Sequence, residues 1–326
     1  MKSHRRPIIT LLILAPVTGE LLSGSAPPSE FFNPFTFLPL IALYGSGALL
    51  TRELARRWGK GWASILLLGM AYGIYEEGIV VRSFFDPTWM DLGLLAEYGR
   101  YLGVNWVWAL ELTLFHAVVS IMIPIMLVEM LFPAHRNSPW LNRSGLIVYS
   151  LLLLSMMAMG PLFGMQASLP ALSGSVLAIG LLLLLAYSWP VSMRDDKGQR
   201  RAFPAGCFVF MGFAGAAGWL ITIFVLPELS VPALVDLFLG AFWPLLITVL
   251  VWILSRRGWR DRQQWGLVAG ILLLFIFLAF IAEADNATRP DNTAGMALVG
   301  LTFLGFMAGL GVKVWRRPPA VSKAAP

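Results

Sequence analysis

Long apolar runs separated by short polar segments make up almost the whole chain. About 20 apolar residues are needed to cross a hydrocarbon core of about 30 Å as a helix. The polar–apolar alternation typical of membrane β-strands is absent. The runs predict an all-α fold, a polytopic transmembrane bundle of about ten spans. These are residues 7–22, 36–54, 62–82, 105–131, 145–163, 171–191, 204–226, 233–254, 266–282 and 294–315.

The composition excludes an ordinary water-soluble domain. Of the 326 residues 58% are hydrophobic and only 13% are charged, with a mean hydropathy of +0.74. Soluble domains carry about 25% charged residues. The lipid bilayer is therefore the expected partner of most of this surface.

The basic residues predict an orientation. With the N-terminus inside the cell, 21 of the 24 Lys and Arg residues fall in cytoplasmic segments, which satisfies the positive-inside rule. Arg82, Arg100 and Arg289 are the remaining three. We therefore expect a multi-pass protein of the cell (inner) membrane with both termini cytoplasmic. The net charge of +6 is accounted for by this topology, so no nucleic-acid partner is expected.

The first apolar run raises the question of a signal peptide. Basic residues precede it and the small residues Gly24, Ser25 and Ala26 follow it, as at a cleavage site. Pro27 comes directly after that site, however, and Glu20 lies inside the apolar run. We expect an uncleaved first span.

Ionisable residues divide the chain into two parts. Residues 1–144, the first four spans, carry nearly all of them within apolar runs, whereas residues 145–326 are an apolar six-span scaffold without a soluble domain. Glycines at 212, 215 and 218 and the Gly305–Gly309 pair predict close helix contacts in the scaffold. A functional site is therefore expected in the first part.

Two adjacent glutamates, Glu76 and Glu77, lie within the third span. A carboxylate deep in a membrane helix costs about 2.5 kcal/mol or more on insertion scales. Two neighbouring carboxylates also disfavour each other's charge. Such a pair is typical of a site that binds a partner, a proton or a metal.

The fourth span carries the histidine that is predicted to complete this site. His116 lies near the middle of that span, while Glu111 and Glu20 lie in the outer halves of the fourth and first spans. Glu111 and His116 point about 140° apart on one helix, so a shared site must form between helices. Contacts of about 3–5 Å between the Glu76/Glu77 carboxylates and His116 would give the groups needed for water activation or proton relay. No cofactor is required, but a divalent metal at these three residues stays open.

Structural roles are the alternative for each residue. Glu76 or Glu77 can pair with Arg82 or extend to the surface, and His116 can simply bond a neighbouring carbonyl. Glu111 is shallow enough for an interfacial position. Glu53 and Glu129, next to basic residues, are interpreted as ordinary surface ion pairs.

The run Tyr75–Arg82 resembles the first motif, Glu-Glu-x-x-x-Arg, of the CAAX-protease and bacteriocin-processing (CPBP, or Abi) family of intramembrane proteases. Arg82 stands one residue later than the arginine of that motif. The resemblance covers residues 76 to 120. It implies that Glu76 activates water and that Glu77 supports it.

The resemblance also implies a role for His116. It matches the histidine of the second family motif, with Leu112 in place of Phe, or that of the third, with Ser120 in place of Asn. The second membrane histidine of the family has no counterpart in this chain. Glu111 or Glu20 would have to replace it.

Three functions follow from these residues. The first is a CPBP-like intramembrane hydrolase acting on a membrane-embedded peptide through Glu76, Glu77 and His116, with Arg82, Glu111 and Glu20 in support. The second is a proton- or ion-coupled transporter of a small solute that uses the same carboxylates. The third is a membrane scaffold without chemistry.

Overall fold

The structure, a computed structural model, describes residues 4–190, 202–287 and 291–317. Within these ranges nine helices are long and apolar enough to cross a membrane. A shorter helix, Arg5–Pro16 continued by Val17–Leu21, precedes them and is named α1. The nine are α2 Pro34–Arg57, α3 Trp62–Val80, α4 Trp106–Leu131, α5 Arg143–Leu162, α6 Leu169–Ser188, α7 Ala205–Glu228, α8 Ala233–Ser255, α9 Asp261–Ala284 and α10 Met296–Trp315.

These ten helices confirm the predicted all-α bundle. Each predicted boundary that falls on described residues lies within five residues of the observed one, and the start of α9 differs most. The predicted end of the sixth span at 191 lies outside the described residues. So do seven of the basic residues used for the orientation: Lys2, Arg194, Lys197, Arg200, Arg201, Arg289 and Lys323.

Both ends of the described chain lie at the same end of the bundle. His4 contacts His135, just after α4, with their Nδ1 atoms 2.9 Å apart. Arg317, just after α10, pairs with Asp261 at 2.6 Å. We call this the basic end. The opposite end carries the 81–105 loop, which contains a two-stranded hairpin, β1 Arg100–Tyr101 and β2 Val104–Asn105.

The core lies around α4. Of its most apolar 18-residue stretch, 78% is buried, against 6% for α8 and 11% each for α5 and α6. The outer helices therefore expose their Leu, Ile and Phe side chains, which is the surface that lipid solvates. Polar side chains in the inner helices are correspondingly shielded from lipid.

Among the described residues, five helices contain a π-helical turn, in which N–H groups bond carbonyls five residues back. The turns are Val17–Leu21, Ile41–Gly45, Tyr75–Val80, His116–Met122 and Ile221–Val225. Four of them have a proline within two residues: Pro16, Pro39, Pro124 and Pro227. A proline cannot donate a backbone hydrogen bond, and membrane helices accommodate it by local π adjustment.

Glycines bring particular helices into direct contact. A Cβ at Gly69 would lie 2.9 Å from the Cα of Ala117, and one at Gly73 would lie 3.1 Å from the Cα of Thr113, so α3 and α4 touch along their backbones. Gly212 likewise contacts α9. The predicted contact at Gly305 and Gly309 is not made within the described residues, because a Cβ at either would meet nothing within 4 Å.

The interpretation of Glu53 and Glu129 as surface pairs is wrong. Glu53 and Glu129 are 0% and 2% exposed, and Arg52 is 0% exposed. Arg52 pairs with Glu129 at 3.0 Å and Arg56 does so at 2.7 Å. The guanidinium of Arg52 also lies 3.4 Å from the Trp140 ring centroid. This network joins α2 to α4 and to the segment before α5 inside the basic end.

Candidate functional site

The sequence of α3 places its two glutamates on different rows of the helix. Gly69, Gly73 and Glu77 follow one another at four-residue spacing and therefore share the face that contacts α4. Tyr72 and Glu76 form the neighbouring row. The π turn Tyr75–Val80 contains both glutamates. Adjacent carboxylates thus leave the helix toward different neighbours.

Both glutamates reach the same imidazole. Glu77 Oε1 lies 2.8 Å from Nε2 of His116, and Glu76 Oε2 lies 3.1 Å from Nδ1. Nδ1 also lies 3.1 Å from Oγ of Ser120, one turn further along α4. Glu76, Glu77 and His116 are 3%, 7% and 2% exposed. The structure therefore brings these three predicted residues together, within the expected separations.

The Glu77 carboxylate is well supported. Its Oε2 accepts a hydrogen bond from the hydroxyl of Ser83, which follows α3. Ser83 in turn accepts one from the indole N–H of Trp108, at 3.0 Å. With His116 on the other oxygen, Glu77 has partners on both sides. This carboxylate is held in one position and orients the imidazole.

Glu76 has a different environment, formed by aromatic hydroxyls. It interacts electrostatically with Tyr44 and Tyr72, whose rings lie 5.9 and 6.4 Å from that of His116. Tyr44 donates a hydrogen bond to Glu20, which brings α1 and α2 into the site. Within the described residues neither the Tyr72 hydroxyl nor Glu76 Oε2 forms a hydrogen bond of regular geometry, although both are buried and Oε2 faces Nδ1 of His116. Glu76 Oε2 is therefore held less tightly than the oxygens of Glu77 and keeps lone pairs for a further donor beside the imidazole.

The π turns coincide with this site. The π turn of α1 contains Glu20, and that of α2 contains Tyr44. The π turn of α3 contains both glutamates, and that of α4 contains His116 and Ser120. Such turns are rare and occur frequently at functional sites. Four helices thus depart from α geometry at one place in the bundle.

Metal binding can be tested against the same geometry. Glu76, Glu77 and His116 each offer a ligand atom within 4.8 Å of the others. Carboxylates and imidazole are ligands for zinc and similar divalent ions. The two ring nitrogens, however, face different carboxylates, and one ion binds only one nitrogen of a ring. A metal shared by all three residues would require the imidazole to turn, so the observed arrangement suits proton exchange better.

Two predicted supporting residues lie elsewhere. Arg82 donates to the carbonyl oxygens of Met165, at 2.7 Å, and Ile79, and forms no ion pair with a glutamate among the described residues. Glu111 faces α7 and α8 instead, where it interacts with Thr222 and Asp236. Glu20 does join the site, through Tyr44.

Sequence reasoning did not assign Tyr44 to the site. The sequence does contain a signal for the contact between α3 and α4, because Gly69 and Gly73 form a GxxxG pair of the kind that lets two helices touch. Nothing in a single sequence shows that Tyr44 on α2 faces Glu20. The catalytic role of the three central residues stays a prediction.

Comparison with known proteins gives a family but no characterised relative. No curated protein matches the chain, and no solved structure matches it. A family model described as an uncharacterized membrane protein family matches residues 9–322. With its apolar helices, the chain is therefore a multi-pass membrane protein that belongs to this uncharacterized membrane protein family.

Proposed function

We propose that the protein is an intramembrane hydrolase in which Glu76 activates water for attack on an amide or ester bond of a membrane-embedded substrate, such as a peptide. The observation that carries this proposal is the position of Glu76 Oε2, which is buried, lies 3.1 Å from Nδ1 of His116 and forms no hydrogen bond of regular geometry among the described residues. A carboxylate with free lone pairs in a water-poor site is a strong base candidate. The resemblance of Tyr75–Arg82 to the CPBP motif adds support.

The reaction has a simple proton balance. Glu76 accepts a proton from water while the water oxygen bonds to the substrate carbonyl carbon. The tetrahedral intermediate collapses with cleavage of the carbonyl carbon–heteroatom bond, and Glu76 returns its proton to the departing amine or alcohol. Glu77 and His116 do not react; their 2.8 Å contact fixes the ring beside Glu76.

In this proposal Tyr72 takes the place of the second membrane histidine of the CPBP family, which has no counterpart in this chain. Its hydroxyl is buried next to Glu76 and interacts with that carboxylate, but it forms no hydrogen bond of regular geometry among the described residues. A preorganised donor of this kind stabilises the oxyanion of a tetrahedral intermediate. In this proposal Tyr72 donates to the substrate oxygen, and Glu111, located in another part of the bundle, takes no part.

The experiment uses the full chain in proteoliposomes with a library of membrane-spanning reporter peptides, and mass spectrometry detects new termini. Glu76→Gln is expected to reduce cleavage at least about 100-fold. Glu111→Gln is the matched control, because Glu111 is equally buried but lies outside the site, and it is expected to stay within about twofold. Equal cleavage by the protein and Glu76→Gln, or no cleavage of any reporter, contradicts the proposal.

A proton-coupled carrier is the second candidate, favoured by one observation. Hydrogen-bonding side chains follow one another from Glu20 through Tyr44 and Glu76 to His116, and from there through Glu77 to Ser83 at the opposite end. Such a series can relay protons. This function predicts pH-driven solute uptake into vesicles that is lost in Glu76→Gln, with no peptide cleavage.

We also propose that the basic end faces the cytoplasm of the cell (inner) membrane. Arg52, Arg56, Arg57, Arg136 and Arg143 lie at or near this end, as the positive-inside rule requires. Attachment of a membrane-impermeant thiol reagent to single cysteines tests the orientation. The Ser144→Cys side chain is expected to react only with reagent added from the inside. The Thr88→Cys side chain is expected to react only with reagent added from the outside.

A further inference from the structure

Glu111 and Asp236 form a second buried acidic pair, away from His116. Glu111 lies in the second turn of α4, Asp236 lies in the first turn of α8, and each is 1% exposed. Both are at the end of the bundle that carries the 81–105 loop. The hydrolase site and the proton series use neither of them.

The two carboxylates lie close together because of a glycine. A Cβ at Gly240 would lie 2.4 Å from Oε1 of Glu111, so this carboxylate rests against the backbone of α8. Asp236 precedes Gly240 by four residues and therefore projects from the same face of α8. Glu111 interacts electrostatically with Asp236 and with Thr222, which lies in the π turn of α7. Three helices thus meet at this pair.

Ion pairing does not balance the two carboxylates within the described residues. Across residues 4–190, 202–287 and 291–317, neither carboxylate forms an ion pair with Lys, Arg or His. In the part of the chain that the structure describes, neither oxygen of Asp236 forms a hydrogen bond of regular geometry, although Tyr98 interacts with this carboxylate. The nearby Tyr98 hydroxyl donates instead to the carbonyl of Val231, at 2.8 Å. An unpartnered buried carboxylate is costly, which points to a ligand at this place.

Among the described residues, the side chains that interact electrostatically with the pair offer oxygen atoms. Besides the two carboxylates these are the hydroxyls of Thr222 and Tyr98, both of which interact with the pair. Oxygen-only sets are typical of hard cations.

We infer that Glu111 and Asp236 bind a divalent hard cation of the calcium class between α4, α7 and α8. Two carboxylates neutralise one divalent ion, whereas a monovalent ion would leave a net negative charge in the membrane. Magnesium retains several waters, while calcium accepts a flexible set of protein oxygens, which favours calcium in a closely packed place. The inference is independent of the proposed hydrolysis.

The test is a measurement of radioactive calcium binding to the full chain in lipid nanodiscs. The protein is first treated with chelator, and the ionic strength is held fixed. We expect one saturable calcium per chain, a higher melting temperature with calcium than with chelator, and at least tenfold weaker competition by magnesium. Absence of saturable binding overturns the inference, as does competition by sodium at equal concentration.

Matched variants locate the binding. Asp236→Asn removes one charge, and Gly240→Ala keeps both charges but displaces the Glu111 carboxylate; each is expected to weaken calcium binding at least tenfold. Glu228→Gln, an exposed carboxylate at the same end, is expected to bind as the unmodified protein does, and so is Glu76→Gln. Unchanged calcium affinity in folded Asp236→Asn or Gly240→Ala contradicts the site.

Discussion

Glu76 and Glu77 are neighbours in sequence, yet their surroundings assign them different roles. Glu77 is hydrogen-bonded on both oxygens, by His116 and Ser83, whereas Oε2 of Glu76 faces the imidazole without a hydrogen bond of regular geometry among the described residues. A fixed carboxylate orients a ring, and an open one accepts a proton. The proposed division of labour between positioning residue and base follows from this difference.

Tyr72 provides a prediction at the residue scale. Tyr72→Phe removes only the hydroxyl of this side chain and is expected to lower kcat for reporter cleavage about 100-fold with little change in KM, because the oxyanion loses a donor. Tyr75→Phe is the control, since its hydroxyl bonds the carbonyl of Leu153 outside the site, at 2.5 Å. A Tyr72→Phe enzyme as fast as Tyr75→Phe argues against the assigned donor.

The sequence predicted part of this residue-scale account. Helical spacing correctly separated Glu111 from His116, because five residues turn the helix through about 140°. The carboxylates near His116 were expected because buried charges need partners. The contact of Tyr44 with Glu20 was not predictable, since partners on different helices depend on packing that one sequence does not encode in any local pattern.

At the element scale, the approach of α3 to α4 controls the site. Gly69 and Gly73 allow these helices to touch, and Glu77 extends the same row toward His116. The π turns then place the polar side chains. Prolines near four of these turns were visible in the sequence, but the turn of α3 has no such signal.

Gly69→Ala tests the role of this contact. The added methyl group would meet the Ala117 backbone, so the helices must separate, at a cost of about 1–3 kcal/mol. We expect a lower melting temperature and at least tenfold slower cleavage. Gly305→Ala is the control, because nothing lies within 4 Å of its added methyl group. Equal effects of the two substitutions would contradict a specific α3–α4 contact.

On the scale of the whole molecule, the buried charges of the basic end and those of the site around His116 lie at different positions along the bundle. The basic end is closed by paired charges around Arg52 and Glu129, whereas the site around His116 contains buried groups without a hydrogen bond of regular geometry among the described residues. The paired region is suited to holding helices together. The incompletely paired region is suited to chemistry.

Glu129→Gln is predicted to destabilise the protein by about 3–5 kcal/mol, because Arg52 would stay buried without its carboxylate. Unfolding of the protein in mixed detergent micelles measures this change. The double substitution Arg52→Met with Glu129→Met is expected to recover much of the loss, since it buries no unpaired charge. A single substitution without effect on unfolding would show that the pair contributes little.

The hydropathy pattern predicted the ten helices because each apolar run has to satisfy its own backbone in lipid. It did not predict that the charged residues at the ends of α2 and α4 are buried. Their burial depends on the segment after α4, which covers them with Trp140 and backbone carbonyls. Hydropathy reports the depth of a residue along a span but not which neighbour shields it.

The most direct measurement is the distance between the carboxyl carbons of Glu76 and Glu77 and the ring nitrogens of His116 in lipid bilayers, by solid-state NMR. His4 and His135 are replaced, so that the ring signal comes from one residue. The account predicts both carboxyl carbons within about 4 Å of the ring nitrogens, since the oxygens lie at 2.8 and 3.1 Å. Separations beyond about 6 Å for either glutamate would contradict a shared site.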